Sequence, residues 1–168
     1  EVMVLNRVLV EEIKKQTTIL LHNLDTTIQT CNLGFVLCEM PIWKHLYHTL
    51  HSIDRWFINP DRYEEPSFHV PNLNSLDIQS EKILTRDELS NYFESIKNKI
   101  NQYLDTLSDE MLYEKPNGCN YTRLALVLGQ YRHLNCHLGN INCTTIIETG
   151  EWPRVVGLDS DLHKGLYE

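Results

Sequence analysis

A chain of 168 residues with 42% hydrophobic and 23% charged residues has the size and composition of one ordinary globular domain, and neither wholesale disorder nor a fibrous repeat fits it. Its 15 Lys and Arg stand against 23 Asp and Glu, a net charge of -8, which argues against a protein that grips nucleic acid or an anionic membrane through a basic face. No run nears the roughly 18 apolar residues of a bilayer span, no secretory signal is visible, and the 5 Cys include no Cys-x-x-Cys pair, so the expectation is a reduced, cytoplasmic protein with 8 His as its unusual feature.

The first predicted element runs from about Val4 to Thr30, where Val4, Leu5, Val8, Leu9, Ile13, Leu20, Leu24 and Ile28 recur at helical spacing. A second helix begins near Met40-Pro41, aligns Trp43, Leu46, Tyr47, Leu50, Ile53 and Phe57, and is stopped by Asn59-Pro60. From Pro60 to Leu84 three prolines and an Asn/Ser stretch break any period, the mark of a flap or a crossover between distant helix ends. Tyr63, Phe68 and His69 in it are candidates to cover the groove, with an ordinary surface loop as the leading reading.

The third helix opens on Thr85-Arg86-Asp87-Glu88, a capping box, and its apolar positions carry it to Ser108. After a turn at Pro116-Asn117-Gly118, the fourth runs from about Tyr121 to Glu148, with Gly150 as its stop. Trp152 is expected to anchor the tail. Cys31, Cys38, Cys136 and Cys143 lie in or beside apolar helical patterns, as packing thiols do. The sequons at Asn120 and Asn142 are discounted, the second because it falls in a helix. Four amphipathic helices without a convincing period-two stretch predict an all-α four-helix bundle. A phosphate loop, a nucleophile elbow and a Cys-rich zinc signature are absent from the sequence.

His133 and His137 are spaced i, i+4 on the fourth helix, so both imidazoles can reach one metal ion from its face. They lie about 100° and about 60° from Leu134, at the margin of the apolar stripe. Leu134 stands where a metalloprotease has its general-base Glu, which excludes that mechanism. A third imidazole can come from the second helix. With Trp43 and Leu50 as the apolar centre, His51 lies nearest the margin at about 80°, His48 at about 140° and His45 on the far side, so geometry prefers His51. Three imidazoles leave positions for water or substrate, as catalytic metals require.

The segment Trp43-Lys44-His45-Leu46-Tyr47-His48-Thr49-Leu50 with Asp54 downstream, and then Arg132-His133-Leu134-Asn135-Cys136-His137-Leu138-Gly139-Asn140-Ile141-Asn142, resembles the DinB-like superfamily over nearly the whole chain. The resemblance implies a single four-helix-bundle domain over residues 1–168, with a long connection between helices two and three. It favours His48 over His51 and implies His48, His133 and His137 as ligands of zinc or nickel. It also implies a homodimer and, for some members, transfer or isomerisation chemistry with a low-molecular-weight thiol. A metal-dependent transferase or hydrolase is the leading expectation. The alternative is a non-catalytic dimeric binding or stress-response bundle with a vestigial site.

Around that site, Cys136 points about 100° from His137 and reads as a packing thiol. Asp54 is expected either to orient a histidine or to pair with a buried arginine. Gln130 and Tyr131 are candidates to line the pocket. His22, His45, His69 and His163 have no partner at useful spacing and are expected at the surface or in packing.

Overall fold

A computed structural model describes residues 6–168. The expected helical positions Val4 and Leu5 lie outside them. The chain is mostly helical: α1 (Val8–Thr30), α2 (Ile42–Trp56), α3 (Arg86–Asp105), a short α4 (Asp109–Leu112) and α5 (Arg123–Thr149). The apolar stripes explain the assembly. α1 packs on α3 and α5, and α2 packs on the same two helices. Leu24, Ile28, Leu46, Leu50, Ile96, Leu104, Leu134 and Ile141 are among the side chains of the shared core. Among the described residues, no helix is long and apolar enough to cross a membrane.

The local signals act as their chemistry dictates. Thr85 Oγ1 accepts from the Glu88 amide at 3.2 Å, and Glu88 Oε2 accepts from the Thr85 amide at 2.8 Å. Gly150 closes α5 at φ 76, a left-handed conformation that side chains disfavour.

Three expectations change. The third helix ends at Asp105 rather than Ser108, because Ser108 caps a new helix, α4. The gain lies at the start of α1, where the Asp109 carboxylate accepts from the amides of Leu9 at 3.0 Å and Val10 at 2.9 Å. Those amides have no partner inside their own helix, and a negative group suits the positive end of its dipole. A small antiparallel pair, β1 (Val36–Leu37) and β2 (Met40–Pro41), precedes α2 and turns on Cys38 and Glu39, both at positive φ. Two-residue strands are too short to show alternation. Trp152 is 61% exposed and does not anchor the tail. Val156 does: its amide donates to Asn23 Oδ1 at 2.8 Å, and its carbonyl accepts from Asn23 Nδ2 at 2.9 Å.

The connection between α2 and α3 is irregular except for a 3-10 turn at Pro60–Arg62. It is nonetheless packed, with Leu73 and Leu84 buried and Phe68 and Val70 against the core. This corrects the surface-loop reading of Phe68, and it places the connection over α2.

Candidate metal centre

His133 and His137 project from successive turns of α5, and their Nε2 atoms stand 3.0 Å apart. His48 meets them from α2, with its ring centroid 5.4 Å from that of His133 and 4.8 Å from that of His137. One ring nitrogen of each residue lies within 4.8 Å of those of the other two. The packing of α2 on α5 produces this convergence. Before its last turn, His48 and Ser52 are the α2 residues that are only half-buried, and both face polar groups of α5.

One hydrogen bond orients His48: its Nδ1 is 2.9 Å from the carbonyl oxygen of Asn74, which can only accept, so Nδ1 carries a proton and Nε2 is the nitrogen left to ligate. A backbone carbonyl behind a ligating imidazole is a common way of holding the ring in place. His133 and His137 stay neutral at neutral pH. Burial is the main reason: it pushes His137 down to about 4, helped by the neighbouring charges of His133, His48 and His45. Burial, and then His48, lowers His133 as well.

The donor set fits a borderline cation. Neutral imidazoles suit zinc and nickel. Two nitrogens bound at about 2.0–2.1 Å to one ion, with angles between square and tetrahedral, stand about 2.9–3.4 Å apart, a range that includes the His133–His137 separation. His133 Nδ1 is buried without a hydrogen-bond partner among the described residues. Leaving such an atom unpaired costs about 1–3 kcal/mol, and a cation on the Nε2 that faces His137 leaves it unpaired still.

Beside His137 opens a cavity of about 600 Å3 whose wall includes Phe35, Leu37, His45, Asp77, Cys143 and Ile147. It is mainly apolar with a few polar groups, as small-molecule sites usually are. Cys143 and Cys38 are exposed rather than packed, and so is Cys136, while Cys31 is buried as expected.

The other candidates part from these three. His51 is buried, yet it turns to the connection and not to α5: its Nε2 lies 2.7 Å from Glu65 Oε2. The helical wheel was right about its depth and wrong about its neighbour. His45, placed on the far side by the same wheel, is buried with Nε2 2.9 Å from the Leu37 carbonyl, because the β1–β2 pair covers it. His69 does have partners, Tyr47 and Glu65. Among the described residues Asp54 orients no histidine and meets no arginine; it accepts from Tyr92 Oη at 2.6 Å and pairs with Lys99. Gln130 is buried and accepts from Ser52 Oγ at 3.2 Å. Tyr131 joins α5 to α1 by donating to the Ile13 carbonyl at 3.0 Å. Neither forms part of the cavity wall at His137.

Two features had no sequence signal. The Asn74 carbonyl belongs to an irregular stretch, and a backbone acceptor leaves no mark in residue types. Lys44 is fully buried on α2, and its ammonium donates to the Ile78 carbonyl. The class defined by fold and site is thus an all-α protein with three imidazoles converging between two helices. No protein family, curated protein or solved structure matches the chain.

Proposed function

We propose that this chain is a DinB-like four-helix-bundle metalloprotein, a single domain in which His48, His133 and His137 hold zinc or nickel beside a substrate cavity. The supporting observation is the convergence of one nitrogen from each imidazole within 4.8 Å, with the other nitrogen of His48 committed to the Asn74 carbonyl. A cation on neutral imidazoles supplies Lewis acidity that makes a thiolate or hydroxide accessible near neutral pH. The chain's own residues do the rest. The Asn74 carbonyl keeps the His48 lone pair aimed at the cluster. Phe35, Leu37 and Ile147 give the cavity its apolar wall, and Asp77 and His45 offer polar groups to its occupant. A low-molecular-weight thiol and an electrophilic small molecule are the proposed reactants of a transferase, with hydrolysis as the related reaction. The DinB-like motifs further support a homodimer working in the cytoplasm.

The test is element-resolved metal analysis of protein purified without a His tag. His133→Ala and His137→Ala should each lower bound metal by about one equivalent relative to wild type while helical circular dichroism persists. Unchanged metal content in both variants would overturn the assignment. A wild-type protein that holds no stoichiometric metal, and gains no thermal stability from added zinc or nickel, would establish the non-catalytic alternative instead.

A further inference from the structure

A second constellation lies about one turn further along α2. His51 Nε2, a Glu65 carboxylate oxygen and a His69 ring nitrogen all fall within 4.8 Å of one another. Glu65 Oε2 is the hub, 2.7 Å from His51 Nε2 and 3.6 Å from His69 Nδ1. The two imidazoles are stacked, with centroids 5.1 Å apart and planes inclined by 25°, so both present an edge to that oxygen. A turn closed by the His69 amide on the Pro66 carbonyl at 2.9 Å brings Glu65 and His69 together on the connection.

We infer that His51, Glu65 and His69 form a second divalent-cation site, which clamps the connection between α2 and α3 onto α2. Two imidazoles and one carboxylate are a donor set for first-row cations such as zinc, manganese or ferrous iron. The surroundings suit an ion. The side chains of His51 and His69 are 5% and 15% exposed, while that of Glu65 is 44% exposed and provides the entry path. The Glu65 carboxylate between the two rings offers one negative charge for the cation to offset.

Without a cation, protons hold the cluster together. His51 Nε2–H donates to Glu65, and with the His69 proton on Nε2 the Tyr47 hydroxyl, 2.8 Å from His69 Nδ1, donates to it. On binding, the His51 proton moves from Nε2 to Nδ1, the Tyr47 hydroxyl releases His69 Nδ1, and no proton leaves the protein.

The inference does not depend on the three-imidazole centre, and the test separates them. Full-length His133→Ala/His137→Ala protein is stripped with chelator and equilibrated with zinc. It should bind about one equivalent, and adding Glu65→Gln or His69→Gln should abolish this. Absence of zinc from that double variant, or zinc unchanged by both additions, overturns the second site. Failure of the three-imidazole centre appears elsewhere, as wild-type metal content that His133→Ala and His137→Ala leave unaltered. Wild-type protein gives a further readout should the double variant not fold. At zinc tenfold above the dissociation constant, amide exchange over residues 63–70 should slow by about tenfold, and Glu65→Gln should remove the effect. Exchange there that ignores zinc overturns the inference; a hydrogen-bonded cluster alone would behave that way.

Discussion

The two histidine clusters share one helix and differ in what completes them. His48 looks across to α5, where both partners sit on a single regular helix and their spacing is set by its pitch. His51, three residues on, looks into the connection, where Glu65 and His69 are held by a turn and by side-chain contacts. The first cluster consists of three imidazoles, with burial keeping His133 and His137 neutral. The second has a carboxylate at its centre and two tyrosine hydroxyls around it, Tyr47 on His69 and Tyr63 Oη at 3.3 Å from Glu65. Rigidity therefore comes from helix packing in one cluster and from a polar network in the other. That contrast can be broken or sharpened one substitution at a time.

Leu50 is fully buried and lies between the two clusters along α2. Leu50→Ala should destabilise the fold by about 2–5 kcal/mol, through lost burial and the cavity left behind. Urea unfolding measures it; a loss below about 1 kcal/mol would mean that α2 is not the common support that this comparison assumes. His137→Ala should act on one side only. It should weaken metal binding at the α5 cluster by more than about a hundredfold, beyond what loss of a residue supporting a ligand usually costs, while leaving the Glu65 cluster unchanged. Zinc titration of that variant against Glu65→Gln shows whether the two are independent.

How much of this was legible beforehand follows from the same contrast. The His133–His137 pair could be read from spacing alone, because a regular helix turns sequence separation into distance. The capping box at Thr85 and the stop at Gly150 were legible for a similar reason, since their chemistry is completed within a few residues. His48 needed the family resemblance. A helical wheel assumes one buried face, but α2 buries Lys44, His45, His51 and Asp54 along with its apolar residues. The β1–β2 pair covers His45, and the connection covers Lys44 and His51. Periodicity reports depth, and it is silent on which neighbour supplies the cover. Glu65 and His69 were illegible because nothing local announces that an irregular stretch will fold back onto a helix.

Asp54 provides the next test, since it sits on α2 yet belongs to neither cluster. Asp54→Asn keeps the shape but removes the charge facing Lys99 and weakens the bond from Tyr92, so it should cost about 1–3 kcal/mol. Metal affinity at the α5 cluster should stay within about twofold, since Asp54 meets Tyr92 and Lys99 rather than its ligands, whereas Tyr92 packs on Tyr47 beside the Glu65 cluster. Thermal unfolding and zinc titration report the two quantities separately. A tenfold loss of affinity would show that Asp54 positions a ligand after all.

Acid should act on both clusters of the metal-free protein in the same direction. Burial is the first cause of the lowered pKa of His137, and of His51 too, although there the Glu65 hydrogen bond and charge oppose it. A histidine whose folded pKa lies below its unfolded value of about 6.5 takes up its proton first in the unfolded chain. Its contribution is therefore intact above pH 6.5 or so and declines as pH falls, for His137 until about 4. The His137 Cε1 proton resonance should titrate with a midpoint near about 4, and the urea midpoint should fall between pH 7 and pH 5. A resonance midpoint in the ordinary histidine range would show that the ring is solvated and the α5 cluster looser than its packing implies.

Tyr47→Phe carries the smallest effect and separates the clusters by sign. Burial holds the Tyr47 phenol above the ordinary tyrosine range, so it keeps its proton, and in the His69 tautomer with its proton on Nε2 the hydroxyl donates to Nδ1 at 2.8 Å. Removing the hydroxyl takes one hydrogen bond from the metal-free fold, a loss of about 0.5–1.5 kcal/mol. That bond occupies the same lone pair a cation would use, so the variant no longer has to break it on binding. Zinc affinity at the Glu65 cluster should therefore rise, by up to about tenfold, since about 1.4 kcal/mol corresponds to that factor. Affinity at the α5 cluster should not move. If stability and affinity at the Glu65 cluster fall together instead, the hydroxyl supports the bound state, and Tyr47 becomes a partner of the cation rather than its competitor.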